Sequence, residues 1–180
     1  MRIRALLLAT ALSACAGLPS PTGGAATTLT PADAATTLAA GGPITMTVQT
    51  PRGGGGGEDP LILMSLRSAD GRAMSFEENN HAPAHVMSQA PGGALAEIMG
   101  LPADAAPKLY GARATDNRGA PFICGPNGPV AIGYYAAADG AVTIFGLQQE
   151  IEFDTRPDGS MAPAPFSPDQ ICARLRFSNR

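Results

Sequence analysis

Ile171-Cys172-Ala173-Arg174-Leu175-Arg176-Phe177 decides the fold class, because apolar and polar side chains alternate along it with a period of two. In an extended chain Ile171, Ala173, Leu175 and Phe177 share one face, and Cys172, Arg174 and Arg176 share the other. The segment reads as a half-buried strand of an antiparallel sheet, with one face on a core and one in water. Ile44, Met46 and Val48 alternate with Thr45, Thr47 and Gln49 in the same way and mark the start of the domain proper.

The chain between these two strands carries the same signal. Leu61 to Leu66 is an apolar run broken only by Ser65, and the Asp70-Gly71 turn leads from it into Met74 and Phe76, which predicts a hairpin. Further strands are expected over Leu109 to Ala114, Pro121 to Cys124, Val130 to Ala136, Val142 to Leu147 and Glu150 to Asp154. Asn117-Arg118-Gly119, Asp139-Gly140 and Asp158-Gly159 supply turn residues between them, and the prolines from Arg156 to Pro168 mark an irregular loop. Glu150, Glu152 and Asp154 oppose Ile151 and Phe153, so pairing that strand with the last would set carboxylates against guanidinium groups.

Helical signals are short. Leu95, Ile98 and Met99 have helical spacing, Gly100 suits a left-handed cap and Pro102 blocks continuation. Thr30-Pro31-Ala32-Asp33 looks like a helix start with Thr30 as cap, and Gly41-Gly42-Pro43 would end that helix. The expected fold is α+β, mainly antiparallel β: a meander or small barrel-like sheet with one or two short helices. Gly53 to Gly57 lacks the Lys-Ser/Thr of a phosphate-binding loop and reads as a connection only.

Before all of this lies a different kind of segment. Arg2 and Arg4 are followed by an apolar run from Ala5 to Leu12, about 12 Å long if helical and far short of a roughly 30 Å hydrocarbon core. Such a segment is an export signal, not a transmembrane helix. Its end, Leu12-Ser13-Ala14-Cys15, resembles the lipobox of bacterial lipoproteins. The resemblance implies cleavage before Cys15, a diacylglycerol on its sulfur, and a membrane partner through the N-terminal lipid. More than one acyl chain makes such anchoring durable. Ala16 follows where inner-membrane members often carry Asp, so the resemblance implies the outer membrane, facing the periplasm.

The organisation expected is a signal peptide over 1–14, a lipidated N-terminus and flexible tether with a marginal helix over 15–42, and one β-rich domain over 43–180. The tether is read from the Pro, Gly, Ser and Thr content of Ala16 to Leu29. About 166 of the 180 residues would remain, enough for one core. Without Arg2 and Arg4 the 12 basic residues become ten against 15 acids, a net charge of about −5. With Lys108 as its single lysine, the chain lacks the basic surface that nucleic acid requires, and no nucleic-acid partner is expected.

Once Cys15 is lipidated, Cys124 and Cys172 remain in an oxidising compartment, where they should pair. The rival reading makes Cys124 a catalytic thiol. Both histidines fall in Glu77-Glu78-Asn79-Asn80-His81-Ala82-Pro83-Ala84-His85, so His81, His85 and Glu77 are the candidate metal ligands. Pro83 opposes the helix that would put both imidazoles on one face, and the plainer reading is a polar loop. No Gly-x-Ser-x-Gly elbow occurs.

No cofactor and no catalytic residue is assigned. The function expected is a lipid-anchored, non-enzymatic binding or structural module whose partner is an envelope protein or glycan. The alternatives are a metal-binding protein using the His81/His85 segment and a hydrolase of unrecognised type. In outline the chain resembles small periplasmic inhibitor lipoproteins that block C-type lysozymes. Their Ser-Gly-x-x-Tyr inhibitory loop has no counterpart here, so no residue carries over.

Overall fold

The computed structural model describes residues 24–49, 62–78, 94–105, 107–113, 117–149, 151, 153–155, 157–159, 161–163 and 167–178. Its strands are β1 (Ala26–Pro31), β2 (Ile44–Gln49), β3 (Leu63–Ser68), β4 (Ala73–Glu78), β5 (Lys108–Ala112), β6 (Ala131–Ala136), β7 (Ala141–Leu147), β8 (Phe153–Thr155), β9 (Met161–Pro163) and β10 (Ile171–Ser178). Two short α-helices, α1 (Ala34–Ala40) and α2 (Ala94–Ile98), and two single turns of 3-10 helix at Gly125–Asn127 and Pro168–Gln170 complete the described elements. Among the described residues, eight strands close an antiparallel barrel in the order β1, β10, β7, β6, β5, β4, β3, β2, and β2 pairs back onto β1. The barrel-like sheet expected from alternation is therefore a closed one, and closure removes the exposed edges that an open meander would keep.

Alternation fills the interior. Val48, Met64 and Phe76 line up across β2, β3 and β4, and Met46, Leu66 and Met74 form the next row. Leu29, Tyr110, Ile132, Ile144, Leu175 and Phe177 complete one continuous buried cluster. Eight strands enclose a space that side chains fill, so the barrel is a packed core. Each Leu, Ile or Phe withdrawn fully from water stabilises the fold by roughly 1.5–3 kcal/mol.

The N-terminal part of the barrel corrects the expected tether. Residues 26–31 are a strand: Thr28 pairs with Thr45, Leu29 with Ile44 and Thr30 with Ser178. With Leu29 as the one large apolar side chain in a run of threonines, the segment carries almost no hydrophobic periodicity, yet it closes the sheet. Because Thr30 and Pro31 already belong to β1, the cap of α1 is Asp33 and not Thr30; its Oδ1 accepts the Thr36 N–H at 2.7 Å. Gly41, at φ 74°, ends the helix in the left-handed conformation that glycine tolerates. Thr36 and Ala40 are fully buried against the barrel end while Leu38 points outward. Thr36 Oγ1 accepts the Arg176 N–H at 2.9 Å, continuing the pairing of β10 where β1 leaves it.

Pro121 to Cys124 is a second correction. It forms no strand but a loop that lays Phe122 and Ile123 into the same end of the barrel. The loop turns back at Cys124, whose φ of 63° is unusual for a residue with a Cβ. Cys124 is bridged to Cys172, which sits in a bulge of β10 between the pairs Ile171–Leu147 and Ala173–Gly146. Gly146 lets the loop approach: a Cβ there would meet the Cys124 sulfur and lie 2.7 Å from Ile123 Cγ2.

The strand expected over Glu150 to Asp154 is displaced and differently partnered. β8 pairs with β9 in a two-stranded sheet of its own, and β10 pairs with β7 and β1. β10 therefore has β7 and β1 as its partners, and not the strand expected over Glu150 to Asp154. β9 also lies where an irregular proline-rich loop was expected, with Asp158 and Gly159 in the turn between the two short strands.

Candidate functional site

The sheet presents its outward residues in two unlike ways. Across β5, β6 and β7 they are apolar, and Leu109, Ala131, Phe145 and Leu147 form a second buried cluster with Met99 and Ile151. Met99, directly after α2, lies on Gly133, where a Cβ would displace its thioether. Arg174 closes this layer: its Nη2 donates to the Met99 carbonyl at 2.7 Å and its guanidinium stands 5.0 Å from the centre of the Phe145 ring.

Across β2, β3 and β4 the outward positions nearest Ala73 are hydroxyls and a cation, and Gln49, Leu63 and Glu77 form the row beyond them. Thr45, Arg67 and Ala73 occupy one row, which the isolated bridge between Ala73 and Arg118 extends. Thr47, Ser65 and Ser75 form the neighbouring row, with Ser65 Oγ and Ser75 Oγ 3.4 Å apart. Ala73 and Arg118 exchange both backbone hydrogen bonds at 2.9 Å, and Asn117 Oδ1 accepts the Ser75 N–H at 3.1 Å, so β4 fixes the turn that carries Arg118. These residues line a depression of about 280 Å³.

A larger hollow of about 480 Å³ lies at the barrel end, between Arg72, Phe122, Gln148 and the Cys124–Cys172 bridge. Its cation is already engaged. Arg72 Nε donates to Asp70 Oδ2 at 2.7 Å, and the guanidinium stacks 5.4 Å from the Phe122 ring centre. The Arg72 and Ser68 hydrogen bonds hold the Asp70 carboxyl down to about 2. Because Cys124 is in a disulfide, it offers no thiolate, and the reading of a catalytic thiol is set aside.

The remaining singled-out residues are not gathered in one place. Glu77 accepts Arg113 Nη1 at 2.9 Å on the outside of the barrel, and Glu78 accepts Lys108 Nζ at 3.3 Å. Among the described residues no group of three potential metal ligands comes together. Cys15, His81, His85 and the Gly53 to Gly57 run lie outside the described residues. Inside the barrel Tyr110 and Tyr134 meet edge to face at 6.4 Å, and burial raises both phenol pKa values.

Arg67 and Arg118 are the functional candidates that reading the sequence missed. Arg118 looks like an ordinary turn residue, and no periodicity links it to Arg67 on another strand. The outward alternation of Thr45, Thr47, Ser65 and Arg67 is the signal that was there to find. Searched against known proteins, the chain matches no family model, no curated protein and no solved structure.

Proposed function

We propose that this chain is a lipid-anchored bacterial envelope protein whose barrel domain is a non-enzymatic binding module. The observation that carries the reading is Leu12-Ser13-Ala14-Cys15 placed after Arg2, Arg4 and a short apolar run. The Cys124–Cys172 bridge supports it, since disulfides persist in compartments outside the cytosol. Binding in preference to turnover is supported by the packed interior, which leaves a partner to be met from outside, and by the polar sheet face that faces water. The partner class is an envelope protein or glycan, and Ala16 favours the outer membrane as the site of anchoring.

Metabolic labelling tests the anchor. Cells expressing the full chain and fed radiolabelled palmitate should yield a labelled protein in the membrane fraction, and Cys15→Ser should lose the label and the membrane association together. An unlabelled wild-type product, or a Cys15→Ser variant still held in the membrane, would overturn the proposal.

A further inference from the structure

Resting on the envelope reading and deepening it, we infer that the outer face of β2, β3 and β4 binds a polysaccharide that carries carboxylate groups. The first support is uncompensated charge. Among the described residues Arg72, Lys108 and Arg113 are paired with Asp70, Glu78 and Glu77, and Arg174 is engaged by Met99 and Phe145. Arg67 and Arg118 have no ion pair among the described residues, and no acid lines the depression they share. Among the described residues Arg176 on β10 is the other arginine without an ion pair, so Arg67 and Arg118 are the two that share one depression.

The second support is geometry. Arg67 and Arg118 flank Ala73 in one row, so their backbones stand two strand spacings apart, roughly 10 Å. Ala73, with no side chain beyond its Cβ, forms the floor between them. A linear polymer lying across these strands passes both arginines, and each guanidinium has the reach of its side chain to find an acidic group along it.

Chemistry then selects the polymer. Guanidinium groups take carboxylates through paired N–H donors. Thr45, Thr47, Ser65 and Ser75 each offer a hydroxyl that both donates and accepts, the complement of sugar hydroxyls. No aromatic ring lines the depression, so stacking on a sugar face supplies nothing, and a neutral glycan holds weakly. Two cations in an acidic chain are too few for a phosphate strand. The depression also lacks the aromatic anchor around which protein interfaces are commonly organised.

Titration of the full-length protein in detergent with three probes of matched length tests this: oligogalacturonate, dextran and poly-glutamate. Oligogalacturonate should bind at least about tenfold more tightly than either of the others, and its affinity should fall as ionic strength rises. Arg67→Gln with Arg118→Gln should lose about tenfold or more while keeping the bridge and the unfolding midpoint. Absence of binding, equal affinity for dextran or poly-glutamate, or an affinity indifferent to salt would overturn the inference; the salt series needs no variant to fold. Palmitate labelling is independent of this titration, so a labelled protein that ignores oligogalacturonate sinks the inference alone, and an unlabelled one that binds it sinks the anchor alone.

Discussion

The two outer faces of the barrel are built from the same pleat and end in opposite states. Over β5, β6 and β7 the outward positions hold Leu109, Ala131, Phe145 and Leu147, and the chain covers them with Met99, Leu101 and Ile151. Over β2, β3 and β4 the outward positions around Ala73 hold threonine, serine and arginine, with no second layer of described residues packed over them. Strand geometry gives each strand two faces, and side-chain polarity decides which of the outer ones requires a second layer. A small barrel can thus hold two dry clusters, one inside and one against its wall, and leave a third surface in water.

The largest expected break in this comparison comes from the covered face. Phe145→Ala removes a fully buried ring from the second cluster and should cost about 3–5 kcal/mol in denaturant unfolding. A loss near zero would mean that the layer over β7 contributes no packing. Removing the bridge that ties β10 to the Phe122 loop, by Cys124→Ala with Cys172→Ala, should cost roughly 2–4 kcal/mol for a 48-residue separation. Because that bridge lies away from the open face, polysaccharide affinity of the folded double variant should be unchanged.

Smaller effects sharpen the boundary. Arg174→Gln loses the cation over Phe145 and weakens the hold on Met99, and should cost about 1–2 kcal/mol, read from the unfolding midpoint. At the barrel end the depressed Asp70 carboxyl sets an acid limit. Its folded value, about 2, lies below the ordinary 3.8, so its contribution is fully present above pH 3.8 and fades as pH falls towards 2. Asp70→Asn should flatten that part of the stability profile. Smallest of all, Thr45→Ala on the open face should change stability by no more than about 0.5 kcal/mol. A much larger loss would mean that this face is packed against something.

Most of the barrel was legible because its strands announce themselves locally. Ile44 to Gln49 and the hairpin around Asp70-Gly71 fall where alternation and turn chemistry put them, and Gly100 ends its helical segment at φ 59°. β1 was missed because Leu29 stands nearly alone among threonines, so its strand character comes from pairing with β2 and β10 and not from any period. Pro121 to Cys124 misled in the opposite sense: Phe122 and Ile123 are as apolar as a strand, yet they are buried as a loop plug. Of the candidate site, hydroxyls alternating with apolar residues were visible, whereas the placing of Arg67 and Arg118 on either side of Ala73 was not.

Sequence by itself determined that this is a mainly antiparallel β protein with a hydrophobic interior, one or two short helices and two cysteines free to pair, because a period of two and turn residues act over a few neighbours. Tertiary structure alone decided that the sheet closes, that β1 supplies the closing strand, and which outer face is covered. Those outcomes depend on contacts between residues far apart in the chain, where pairing and burial outweigh local preference.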